Sequence, residues 1–253
     1  VPLRIGYARD GRGPLLTHAI RVPKEGEIPR HESHYYMELL RRAGWSEGCG
    51  KIETIRLLIP PAARESAEET LRKAGAREGS WRVAIAPGAS YGAAKCWLPQ
   101  RFAQVADRLV LECGADVIFF GTSGEKEIAA RILSAMKSRV ISLVGETSMR
   151  NLAALFSACS AFIGNDSGAM HVAAAAGLPV IGIFGSTDPE GTAPVTEHFT
   201  LIRDAVPCSP CFLRRCPVDH RCMTRITADS VFLAAARLGR PPHHFPSGGA
   251  RNA

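Results

Sequence analysis

The chain has 253 residues, is 46% hydrophobic and 22% charged, and carries a net charge of +7 at pH 7. This composition is that of a folded protein and excludes a chain disordered throughout. No apolar run reaches the roughly 18 residues of a membrane-spanning helix, because the longest stretch is broken by Gly177, Pro179 and Gly182.

Residues 1–75 are irregular. A short strand is expected over 3–7, a basic turn over 9–14, and helices over 34–43 and 66–74, the last two closed by Gly44 and Gly75. Pro60 and Pro61 break the chain between them. From residue 80 the pattern becomes regular. Strands are read at 81–86, 116–120, 140–144, 161–163, 180–184 and 199–202. Helices are read at 99–113, 123–136, 149–159, 168–176 and 227–238. Short apolar strands alternating with amphipathic helices predict a parallel α/β sheet covered on both faces. Three parts are expected: residues 1–75 as a separate piece with a linker, 76–238 as a Rossmann-like domain, and 239–253 as a disordered tail. Val1 is not followed by a basic segment and an apolar core, so no secretory signal is read and a cytoplasmic chain is expected.

In such sheets ligands bind beyond the carboxyl ends of the strands. Four strand-end loops hold unusual residues. The loop over 86–99 contains Gly88, Ser90 and Lys95 and runs into a helix start at Pro99. Small residues let backbone N–H groups approach an anion, so it is read as a diphosphate site or else as a solvated surface loop. In the loop over 121–125, Thr122 and Glu125 have capping-box spacing, and Glu125 either caps the helix or accepts ribose hydroxyls. In the loop over 145–148, Thr147 or Ser148 caps a helix, with ligand contact as the alternative. The loop over 163–171 carries most weight. Ser167 and Gly168 offer backbone N–H groups at the positive end of a helix. Asp166 caps that helix or binds sugar hydroxyls, since a carboxylate beside a phosphate is repelled. His171 lies one turn on, either as a structural residue or as a ligand contact.

Together these segments are specific. P-G-A-S-Y-G-A-A-K-C-W-L-P over 87–99, G-T-S-G-E over 121–125, N-D-S-G-A-M-H over 165–171 and V-I-G-I-F-G-S-T-D-P over 180–189 occur in this order. They resemble the lipopolysaccharide heptosyltransferases of glycosyltransferase family 9, most closely the type II branch. The resemblance covers nearly the whole chain, with residues 45–75 poorly matched. It implies a GT-B-type enzyme with two Rossmann-like domains, which transfers heptose from ADP-L-glycero-D-manno-heptose to the inner core of lipopolysaccharide, on a heptosyl-Kdo2-lipid A acceptor. Carried over by position, Lys95 would meet the sugar and diphosphate, Ser90 the phosphates, Glu125 the ribose and Thr147 the nucleoside. Asp166 would meet heptose hydroxyls, Ser167 and Gly168 the diphosphate, and His171 the nucleotide side. Lys95 and the helix start at Ser167 then stabilise the charge that develops on departing ADP. With that positive charge supplied by the protein, and with no Asp-x-Asp motif, no catalytic metal is expected. The family's general base is an Asp in the first turn of the acceptor domain. Residues 1–44 resemble the later part of that domain, so the acceptor domain is expected to be incomplete, and the chain to bind ADP-sugar poorly and transfer it hardly at all.

Cys208, Cys211, Cys216 and Cys222 cluster between the last strand and the last helix. Four thiolates at this spacing could hold structural Zn²⁺ or an iron–sulfur cluster; free thiols and disulfides are the alternatives. The cluster is read as a clamp near the donor loops. The positive charge suits a phosphorylated lipid A acceptor in an anionic leaflet, and so peripheral contact with the inner face of the inner membrane. Arg4, Arg9, Arg12, Arg21 and Lys24 concentrate it near the start. Two other functions compete: a nucleotide-sugar epimerase of similar fold, and a basic nucleic-acid-binding module. The second lacks the aromatic residues interleaved with Arg214, Arg215, Arg221 and Arg225 that base stacking would need, so no nucleic acid partner is expected.

Overall fold

A computed structural model describes residues 1–47 and 52–239. The disordered tail expected over 239–253 lies, from residue 240 on, outside the described residues. The chain opens with strand β1 (Ile5–Tyr7), strand β2 (His18–Ile20) and helix α1 (Glu32–Arg42). The sheet unit contains helix α2 (Pro61–Lys73), strand β3 (Arg82–Ala86), helix α3 (Pro99–Cys113), strand β4 (Asp116–Phe119), helix α4 (Lys126–Ala135) and strand β5 (Ile141–Ser142). It continues with helix α5 (Met149–Ser157), strand β6 (Ala161–Asn165), helix α6 (Gly168–Ala175), strand β7 (Val180–Phe184) and helix α7 (Pro189–Thr192). Strand β8 (Phe199–Arg203) and helices α8 (Arg221–Thr224) and α9 (Ala228–Leu238) complete it.

The sheet is fully parallel, with strand order β5-β4-β3-β6-β7-β8. Every residue of β3, β6 and β7 is buried, as expected for strands covered on both faces. Side chains alternate between two cores. Val83, Ile85, Val117, Phe119, Ile163, Ile181 and Ile183 face α3, α4 and α9. Ala84, Ala86, Ile118, Phe120, Phe162, Val180 and Phe184 face α2, α5 and α6. The period of two along each strand produces this division. Helix α3 starts on Pro99 and ends on Gly114, whose φ of 65° is the left-handed conformation that closes a helix.

The boundary expected at residues 75 and 76 leaves α2 outside the sheet unit. Its Ala67 and Leu71 are instead buried in the second core, with α5 and α6. The segment before it is smaller: β1 and β2 pair in parallel, and Tyr7 stacks on Tyr35 at a centroid distance of 4.3 Å. Helix α1 buries none of its residues fully. This segment joins the sheet unit through Ile55 N–H to Val195 O and Leu57 N–H to Ala175 O.

Candidate active site

The chain builds β3, β4 and β5 outward in one direction, returns to β6 beside β3, and then builds outward in the other. The carboxyl ends of β3 and β6 therefore flank the point where the winding reverses, where such sheets bind ligands. Ala86 is in register with Gly164, so the loops after the two strands face each other. A Cβ at Gly164 would lie 2.8 Å from Ala86 O, which keeps this position glycine. Asn165 fastens the loops together: its Oδ1 accepts from Trp97 N–H at 3.0 Å, and its Nδ2 donates to Pro87 O at 2.7 Å.

A cavity of about 210 Å³ opens at this point. Its lining includes Gly88, Ser90, Glu125, Thr147, Ser167 and Gly168. Six of the residues expected from sequence thus meet in one place. Glu125 does cap its helix, accepting from Thr122 N–H at 2.6 Å and Thr122 Oγ1 at 3.0 Å, both through Oε2. The expected helix over 123–136 begins for that reason as a 3-10 turn, Ser123–Glu125, before α4. A Cβ on Gly88 would fall on Oε1 of Glu125, so the carboxylate lies flat against the loop backbone. Ser148, not Thr147, caps α5, in a capping box with Asn151. Thr147 is left to the cavity.

Ser167 is the N-cap of α6 but makes no capping bond with its side chain, and its Oγ is buried without a partner. A Cβ on Gly168 would meet nothing within 4 Å. An orphaned hydroxyl and open space at the positive end of a helix fit an anionic ligand.

Lys95 and Asp166 depart from the separate roles expected of them. They form an ion pair, Nζ to Oδ2 at 2.7 Å, with side-chain exposures of 13% and 4%. The lysine is therefore fixed and not mobile, and its ammonium also lies 5.0 Å from the Tyr91 ring centre. His171 is absent from the cavity lining. It stands on the first turn of α6 and is exposed. The packing around its ring lowers its pKa; Asp166 opposes this, and His31 and Lys95 add to it.

The loop after β7 was not read as part of the site. It supplies Thr187 and Thr192, whose hydroxyls donate to Asp166 Oδ2 at 2.6 and 3.3 Å. The available signal was its place at a strand's carboxyl end.

The cysteine segment packs on the lysine loop. Ala94 N–H donates to Arg214 O at 3.0 Å, Tyr91 OH donates to Phe212 O at 2.7 Å, and His220 Nε2 lies 2.9 Å from Ala94 O. Cys222 is buried, and its thiol is pushed up by burial and then by Cys208, Cys211 and Cys216. Among the described residues no group of three or more His, Cys, Asp or Glu is placed to hold a metal ion. The expectation of a metal at the four cysteines thus finds no ligand geometry among the described residues. Among the described residues no helix is long and apolar enough to cross a membrane.

A parallel sheet with its cavity at the switch point defines a doubly wound α/β protein. The comparisons narrow this class. The profile of glycosyltransferase family 9 (heptosyltransferase) matches residues 1–221, and the chain belongs to that family. It is 36% identical over 212 residues to lipopolysaccharide heptosyltransferase 2 of Salmonella typhimurium, covering 80% of this chain and 59% of the relative. It is 35% identical over 125 residues to the Escherichia coli K12 protein of the same name, covering 48% of this chain and 36% of the relative. The structure of E. coli ADP-heptose lps heptosyltransferase II superposes with a TM-score of 0.76 at 25% identity, covering 94% of this chain and 70% of the other. The fold is thus of the GT-B type, and the epimerase and nucleic-acid readings gain no support. The chain spans 59% of the length of the Salmonella relative.

Proposed function

We propose that this chain carries the donor half of a heptosyltransferase, which moves heptose from ADP-L-glycero-D-manno-heptose to a heptosyl-Kdo2-lipid A acceptor. The observation that carries the reading is the orphaned Ser167 hydroxyl beside the open Gly168 position, at the amino end of α6 and on the wall of the 210 Å³ cavity. The diphosphate takes the backbone N–H groups of Ser167 and Gly168, with Ser90 on its other side. Adenosine fills the space between Gly88 and Thr147, its ribose on the free oxygen of Glu125. The sugar lies toward Asp166.

As the glycosidic bond breaks, negative charge gathers on ADP. Donors fixed beforehand stabilise that charge without having to reorganise. The helix end supplies two such donors and Lys95 a full positive charge. Lys95 is held at that post by Asp166, and His171 flanks the pair. No step needs a metal ion.

We place the chain at the cytoplasmic face of the inner membrane, in peripheral contact through its basic N-terminal segment. The cysteine segment is proposed to close around one structural Zn²⁺ or iron–sulfur cluster. Its short spacing supports this, and metal-free protein of unchanged stability would dismiss it.

The test of function is a transfer assay with ADP-heptose and heptosyl-Kdo2-lipid A, read by mass spectrometry. The expected result is slow ADP release that depends on acceptor and yields an acceptor one heptose heavier. Epimerised sugar without ADP release would overturn the reading.

A further inference from the structure

The loop between β7 and α7 has no part in the donor site as read from the sequence, yet it is tightly buried. Ser186, Thr187 and Asp188 are 1%, 5% and 8% exposed. A threonine in such a loop usually satisfies its hydroxyl on nearby backbone. Thr187 instead donates to Oδ2 of Asp166, 21 residues away, at 2.6 Å. Thr192, at the other end of the single-turn helix α7, donates to the same oxygen at 3.3 Å and to Asp188 O at 3.3 Å. Lys95 Nζ also reaches this oxygen, at 2.7 Å. Three donors thus converge on Oδ2 of a carboxylate that is 4% exposed. A carboxylate can accept on both oxygens, and all three of these bonds leave Oδ1 unused.

Helix α7 is also held from the N-terminal segment. Arg30 Nη2 pairs with Asp188 Oδ2 at 2.8 Å, and His31 Nε2 lies 2.7 Å from Ala193 O. Asp188 is the N-cap of α7 and Ala193 its C-cap. The turn that carries both hydroxyls is therefore gripped at each end by residues of the N-terminal segment.

We propose that Thr187 and Thr192 are positioning residues of the donor site: they fix Oδ2 of Asp166 against Lys95, so that Oδ1 is presented to a hydroxyl of the donor sugar. Arg30 and His31 act through α7 and tie this alignment to the N-terminal segment. The proposal rests on the donor-site reading given above. It adds a discrimination that reading does not contain, because the threonines matter for the sugar and not for the nucleotide.

The test uses the 253-residue chain and its Thr187→Val, Thr192→Val and Thr187→Ser variants, titrated calorimetrically with ADP and with ADP-heptose. Thr187→Val should weaken ADP-heptose binding about tenfold, the scale of one hydrogen bond to a charged group, and leave ADP within about twofold. Thr187→Ser keeps the donor and should stay within about threefold of wild type for both ligands. Thr192→Val should act in the same direction but less, because its hydroxyl is farther from Asp166 and shared with Asp188 O. Equal losses for ADP and ADP-heptose would reduce the threonines to a folding role and overturn the proposal, as would an unchanged affinity for ADP-heptose. If the wild-type chain binds neither nucleotide, the donor-site reading fails. Unliganded crystal structures then decide the positioning claim: an Asp166 carboxylate turned away from Lys95 in Thr187→Val supports it, and one left in place contradicts it.

Discussion

One oxygen of Asp166, a side chain almost closed to solvent, is surrounded by the Lys95 ammonium and two threonine hydroxyls. Breaking such a pair from one side strands a buried charge. Lys95→Met should therefore cost about 3 kcal/mol in urea unfolding, and adding Asp166→Asn should recover most of that. Simple addition of the two losses would contradict the pairing. His171 makes a pH-dependent contribution. Its pKa is lowered, chiefly because neighbouring groups desolvate the ring although the residue as a whole is exposed, so on acidification the unfolded chain takes up the proton first and the effect is small. Stability should fall as the pH drops below about 6.5 and level off once the folded ring protonates, and His171→Gln should flatten the curve measured by thermal unfolding. Gly88→Ala tests the packing of Glu125. The added methyl would occupy the place of the Glu125 carboxylate and, on the proposed ribose contact, should weaken ADP binding about tenfold or more in calorimetry.

The lysine loop is ordered by an element that supplies no ligand of its own. Gly92 has a φ of 155°, and a Cβ there would strike Arg214 O in the cysteine segment. Gly92→Ala should loosen both, seen as faster hydrogen exchange over residues 92–97; unchanged exchange would show that the contact carries no constraint. The main elements of the sheet unit were legible because a buried strand and an amphipathic helix each repeat their pattern long enough to be read. Strand β2 and helices α7 and α8, at three or four residues each, are too short to show a period. The expected strand over 140–144 shrinks to two residues, Ile141–Ser142. The site was legible where local composition marks it, at Gly88, Glu125, Ser167 and Gly168. Thr187 lies in the 180–189 segment that carries the family resemblance, but its pairing with a residue 21 positions away is not encoded in any local pattern. The packing of helix α2 on the sheet unit is hidden in its sequence for a similar reason. Ala67 and Leu71 find their core only once α5 is folded beside them.

At the scale of the molecule, the N-terminal segment is held mainly by charge. In α1 the Glu38 carboxyl is pulled down to about 2 by Arg41 and then Arg42. A carboxylate with a depressed pKa contributes stability that is complete above its unfolded value and is lost as the pH falls through the folded one. Helix α1 should therefore loosen between about pH 4.5 and about pH 2, ahead of the sheet, as read by hydrogen exchange. Simultaneous loss of both would contradict this. The sheet unit, with cores on both faces, is the rigid support on which the loops after β3, β4, β6 and β7 are set. The central claim is that these loops converge on the diphosphate of a sugar nucleotide at the amino end of α6. A crystal structure of the chain with ADP tests it most directly. The account predicts phosphate oxygens on the N–H groups of Ser167 and Gly168, and adenosine between Gly88 and Thr147. ADP bound elsewhere on the molecule, with the Ser167 hydroxyl still unpartnered, would contradict it.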